Sequence, residues 1–70
     1  MQALSEIRTG AVCTIKWMFG TPEVLEFLHR HQIQEGSTIR VIQNRLENLI
    51  IGTDAYRIVI DSDAAQMIKV

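Results

Sequence analysis

The stretch Gly10-Ala11-Val12-Cys13-Thr14-Ile15-Lys16-Trp17-Met18-Phe19-Gly20-Thr21-Pro22-Glu23 decides the fold, because its pattern changes partway along. Ala11, Cys13, Ile15, Trp17 and Phe19 alternate with Val12, Thr14, Lys16 and Met18, a period of two that predicts a strand of about ten residues. Gly20 breaks the pattern. Thr21-Pro22-Glu23 then starts a helix, with Thr as N-cap, Pro at the first helical position and an acidic residue in the first turn. The helix is expected to run to about His31. Val24, Leu25, Phe27 and Leu28 make its apolar stripe, and Glu23, Glu26, His29 and Arg30 take the other side. Glu26 and Arg30 stand at i,i+4 in the favourable order.

Downstream, Gln34-Glu35-Gly36 reads as a turn, and Ser37 to Gln43 alternates again, with Ile39 and Val41 on one face and Arg40 and Ile42 on the other. Leu46 to Leu49 offers a reversal, Leu49 to Thr53 a third strand, Asp54-Ala55 a second reversal, and Arg57 to Ile60 a fourth strand. Asp61 or Ser62 can cap a helical turn through Ala64, Ala65 and Gln66, after which Ile68-Lys69-Val70 is suited to a closing strand. The expected class is therefore mostly β: a small SH3-like barrel of about five strands, with one α-helix after the first strand and a short helical turn before the last. Closure of the barrel would remove free edges, which matters in a chain this short.

Residues 1–70 are expected to form one domain, since 70 residues lie near the lower limit for a folded unit. An apolar fraction of 47% with 21% charged residues is too hydrophobic for a disordered chain. The lone Cys13 excludes an internal disulfide and fits a reducing compartment. A net charge of -1 with no run of either sign gives no electrostatic reason to expect nucleic acid as partner. No apolar run exceeds three residues, as in Trp17-Met18-Phe19 and Leu49-Ile50-Ile51, far below the ~20 residues that cross a bilayer. The opening residues lack the basic and apolar regions of a secretory signal, so a cytoplasmic protein without membrane insertion is expected.

An opening Leu4-x5-Gly10, a helix ending before Gly36, then Ile39-x-Val41 and a closing Ala65-x2-Ile68-x-Val70 occur in this order across the whole chain. With Ile15 and Leu28 at their spacing, they make the sequence resemble the FeoA family of ferrous iron transport accessory proteins, whose domains are SH3-like barrels. The chain departs from that pattern where the family helix ends in Arg-Leu-x-x-Met/Leu-Gly: the matching positions are Phe27, Leu28, His31 and Gln32. Glu35-Gly36 replaces the usual Pro-Gly, and Ala55 aligns with a usual glycine. The same barrel also resembles the C-terminal domain of DtxR-type metal-dependent repressors. The first resemblance implies a cytoplasmic accessory role exercised through contact with a FeoB-type transporter, and no catalysis. The second implies a metal-binding or sensing module.

The residues themselves carry little chemistry. Phosphate-loop, dinucleotide-loop, Cys-x-x-Cys and His-Glu-x-x-His motifs are all absent from the sequence, and Cys13 has no activating neighbour, so it is read as core packing and no enzyme is expected. Glu26-x-x-His29 puts a carboxylate and an imidazole on one helix face, but one such pair is not a metal site. His29 and His31 would stand ~200° apart around a helix and cannot share an ion. No metal or cofactor is therefore assigned. If Fe(II) or another divalent metal did bind, Glu23, Glu26, His29 and His31 are the side chains it would draw on. His31 is read as half-filling a core edge.

Trp17-Met18-Phe19 cannot all face inward from one strand, so at least one of them points out. One account tucks Met18 under the helix through its flexible thioether; the other makes the trio an exposed apolar lip for a partner, since Trp, Met and Phe are enriched in interface cores. Ile42, Leu46 and Ile50 exceed what a small core needs and would make a second patch, for a partner or a homo-oligomer. Phe19, His29, Arg30 and His31, on and beside the helix, are the expected partner contacts.

Overall fold

The alternation from Gly10 to Phe19 folds as two strands. A computed structural model describes residues 1–70. β1 (Val12–Thr14) and β2 (Trp17–Met18) are followed by α1 (Pro22–Arg30), β3 (Thr38–Asn44), β4 (Asn48–Gly52), β5 (Arg57–Asp61), α2 (Ser62–Gln66) and β6 (Ile68–Lys69). At the break the backbone changes partner. Ile15 N donates to Ser37 O at 2.9 Å, beside β3, whereas Lys16 N donates to Lys69 O at 2.7 Å, in β6. The inward phase of the pleat slips by one residue there, so Ile15 is buried, Met18 packs half-buried on the core, and Trp17 and Phe19 face out. Trp17 therefore does not share the inner face of Cys13 and Ile15, as unbroken alternation would require.

The strands belong to two antiparallel sheets, one of four strands in the order β1-β3-β4-β5 and one formed by β2 and β6. Hydrogen bonding does not join them into one continuous ring. The break at Ile15-Lys16 and helix α2 carry the chain from one sheet to the other. Between them lies a core of 12 buried residues, including Ile39 and Val41 of β3, Leu49 and Ile51 of β4, Ile58 and Ile60 of β5, Leu28 of α1 and Ile68 of β6. Each large aliphatic side chain taken from water contributes about 1.5–3 kcal/mol, and this burial holds a chain that has no disulfide.

Helix ends follow local chemistry. Thr21 Oγ1 accepts from Val24 N at 3.3 Å, and Asp61 Oδ1 accepts from Ala64 N at 2.7 Å, so Asp61 and not Ser62 caps α2. Of the apolar stripe of α1, Leu28 is buried, Val24 and Leu25 are half-buried, and Phe27 lies on the exposed flank. The helix closes through paired bonds from Ile33 N to Leu28 O (2.9 Å) and from Gln32 N to His29 O (3.0 Å), with Leu28 and Ile33 both in the core. This closure puts Gln32 at φ +63°, in the left-handed region, where the resembling family carries glycine. Gly36, at φ +92°, occupies the third position of the Gln34–Ser37 turn, which demands it. Ala55 has no such positive φ, so a side chain there is unstrained.

Sequence reading leaves residues 4–9 without structure. Leu4–Glu6 form a 3-10 turn whose Leu4 is fully buried. Asn44, at the end of β3, ties this segment down: its Nδ2 donates to Ile7 O (2.6 Å) and Ser5 O (3.1 Å), and its amide donates to Thr9 Oγ1 (3.1 Å). Cys13 is half-buried against the core, and loss of solvent pushes its thiol pKa up.

These packing features give three expected outcomes. Gln32→Gly relieves the left-handed strain and, after glycine's extra unfolded-state entropy, raises stability by about 0.5–1 kcal/mol, seen as a Tm several degrees higher. An unchanged or lower Tm would contradict the strain. Asn44→Ala leaves two part-buried carbonyls without their donor and costs about 1–3 kcal/mol in urea unfolding; Asn44→Asp, which has the same shape without the donor, loses at least as much. The raised thiol pKa means that the folded state holds the Cys13 proton longer than the unfolded chain does. Stability from this source is complete below about pH 8.5 and declines as pH rises through the folded pKa. Subtracting the alkaline unfolding curve of Cys13→Ala from that of the parent isolates the decline, and identical slopes would refute it.

Candidate functional site

Two surfaces gather the side chains singled out by sequence. The first is the outer face of the β2–β6 sheet. Trp17 is paired with Lys69 and Met18 with Ile68, and Phe19 N donates to Met67 O at 2.8 Å. Alternation sends Met18 and Ile68 inward and leaves Trp17, Phe19, Met67 and Lys69 on the outside. The Trp17 and Phe19 rings lie nearly parallel, 16° apart, with centroids separated by 6.1 Å. Trp17 is 51% exposed and Phe19 49%. Together with Met1, Ala3 and Glu6 they line a shallow depression of about 500 Å³. Exposed, ring-on-ring aromatics outside the core are surface that a partner can cover with large gain.

The second surface is the C-terminal end of α1. Glu26 and Arg30 form an exposed ion pair at 2.9 Å, worth little to stability. His29 is exposed, and together with Arg30 it places basic side chains at the end of the helix where the dipole favours them. His31 turns the other way. Its Nδ1 lies 2.8 Å from Phe27 O, and its half-buried ring sits 4.6 Å from that of Phe27 and 5.1 Å, edge-on, from that of Tyr56. Tyr56 comes from the turn before β5, so His31 wedges the helix end against the four-stranded sheet.

The structure thus brings His29, Arg30 and His31 together at one helix end, and places Phe19 on the other sheet with Trp17. The side chains named for a metal do not converge. Glu26 is engaged by Arg30 and His31 by Phe27 O, and no group of three His, Cys, Asp or Glu side chains could hold an ion. Met67 and Tyr56 escaped sequence reading as neighbours of these residues, whereas Trp17 is already part of the candidate apolar lip. Only Phe27-x3-His31, at helical i,i+4 spacing, carried a local signal.

Comparison with known proteins bears on this geometry. A model of the FeoA domain matches residues 2–70. Among curated proteins no relative matches. A crystal structure of an iron uptake regulatory protein, FeoA, superposes with a TM-score of 0.82 at 22% identity, covering 94% of this chain and 89% of that one. The FeoA protein of Chlorobium tepidum gives 0.88 at 17% identity, over 99% of this chain and 67% of that one. A manganese-dependent transcriptional repressor gives 0.83 at 24% identity over 96% of this chain, which spans only 39% of the repressor. At these identities the structural likenesses speak for the SH3-like fold, while the family model, matched along nearly the whole sequence, shows that this chain belongs to the FeoA domain family.

Proposed function

We propose that this chain is a non-enzymatic, cytoplasmic accessory module of ferrous iron transport that regulates or assembles a FeoB-type transporter by protein contact. The observation that carries the reading is the stacked Trp17–Phe19 pair, two large aromatics half-exposed on the β2–β6 sheet and absent from the core. Membership of the family points to iron transport, and such a platform fits docking better than chemistry. The helix end with His29, Arg30 and His31 supplies polar contacts on a separate surface, suited to fixing orientation. No helix is long and apolar enough to cross a membrane, which accords with a role played through a membrane-embedded partner.

A second reading, a metal-sensing module, draws on the likeness to the manganese-dependent repressor. Calorimetric titration with Fe(II) or Mn(II) decides it: heat that saturates below millimolar metal supports it, and flat traces remove it. A module that only self-associates is the remaining alternative.

The docking reading is tested by recovering partners of the tagged protein from its own cell membranes and cytosol, washed with and without GTP and Fe(II). A GTP-binding iron transporter is the expected partner, and recovery of the bait alone would overturn the reading in favour of self-association. Phe19→Ala and Arg30→Ala are expected to reduce recovery about tenfold, as truncated contact residues do, while each moves Tm by no more than a few degrees. A large fall in Tm for Phe19→Ala would make it a structural residue instead.

A further inference from the structure

The outer face of the four-stranded sheet carries a constellation that the docking reading does not use. Strand register sets Val12 opposite Arg40, Arg40 opposite Gly52, and Gly52 opposite Arg57, a single row across β1, β3, β4 and β5. The neighbouring positions Ile39, Val41, Ile51 and Ile58 are buried, so this row points outward. Arg40 and Arg57 thus stand on either side of a residue with no side chain, two strand spacings or about 10 Å apart at their Cα atoms. The surface between them is concave, a depression of about 490 Å³ whose rim is the Thr53–Tyr56 turn.

Three features mark this depression as built to take a ligand. A Cβ on Gly52 would lie 2.8 Å from Ile42 Cδ1, so glycine makes room for the Ile42 side chain, which lies over it as an apolar floor between the two arginine positions. Neither guanidinium is held by a carboxylate: the ion pair of the structure is Arg30 with Glu26. Two arginines against Asp54 alone leave a local excess of one positive charge (two minus one) in a chain whose net charge is -1. Thr53 Oγ1 already accepts from Ala55 N (3.2 Å) and Tyr56 N (3.0 Å), so its hydroxyl hydrogen is uncommitted and available to an acceptor. Like charges gathered on one sheet face repel, and a bound anion converts that repulsion into attraction. The guanidinium fork matches the paired oxygens of a carboxylate or phosphate.

We propose that Arg40 and Arg57 form an oxyanion-binding site over Gly52, taking a phosphate or carboxylate group between their guanidinium forks. The site is independent of the transporter reading, because it lies on the other sheet from Trp17 and Phe19. Its test is a side-chain and amide NMR titration of the whole chain at fixed ionic strength, with inorganic phosphate in one arm and acetyl-triglutamate amide in the other. Saturable shifts of Arg40 Nε, Arg57 Nε and the Gly52–Tyr56 amides are expected, with Arg8 and Arg45 unmoved. Response to phosphate alone identifies a phosphorylated small molecule as the ligand class, and response to the peptide alone identifies an acidic protein segment. Response to both leaves a general oxyanion site. Arg40→Gln and Arg57→Gln should each weaken binding at least tenfold, and Arg40→Lys, which keeps the charge and loses the fork, should fall between. Shifts that stay linear with ligand, spread equally over all arginines, or persist in both glutamine variants would overturn the proposal.

Discussion

Between Ile15 and Lys16 the backbone leaves one sheet and joins the other, and most of what distinguishes this molecule follows from that exchange of hydrogen-bond partners. A strand that continued straight would carry Ile15, Trp17 and Phe19 into a core too small for them. By slipping one residue in its pleat, the chain buries Ile15, half-buries Met18 and turns two aromatic rings to solvent. The slip is also what lets β2 pair with β6, which returns the C-terminal residues to the start of the chain: Gln2 and Val70 exchange backbone hydrogen bonds at 3.1 and 2.9 Å.

The same economy governs the rest of the fold. Short strands leave loops and ends that need their own anchors, and single residues supply them. Asn44 holds residues 5 to 9 by three hydrogen bonds, Asp61 starts α2, and the closing pair of bonds at Gln32 turns the chain from α1 into the core through Ile33. With so little interior available, the outside of both sheets keeps substantial apolar and basic character. One sheet shows stacked aromatics, and the other shows two arginines around a glycine over an isoleucine floor.

Much of this was legible in residues alone, and for physical reasons that can be named. Thr21-Pro22 begins α1 because capping and a preset φ act within one turn. The alternation of Ile39 with Val41 and of Ile58 with Ile60 reports strands because a pleat has a period of two. The segment Leu4–Glu6 escaped because a single 3-10 turn has no period to detect, and the exposed flank position of Phe27 escaped because periodicity marks a stripe without marking its margins. The wedge of His31 against Tyr56 was half visible, as a polar ring in a position usually apolar in the family, with its aromatic neighbour 25 residues away in sequence.

The sequence by itself determined the class of fold, the succession of helices and of the strands after Gly20, the Thr21 cap of α1 and the family pattern, since each of these is written in spacings of a few residues. Tertiary structure alone decided which way Trp17 and Phe19 face, that the strands divide into two sheets, that Asn44 reaches residues 35 to 39 positions earlier, and that Arg40 and Arg57 stand in one row. Those outcomes depend on register between distant strands. Register is set by how the whole core packs, a quantity that no local window of residues contains.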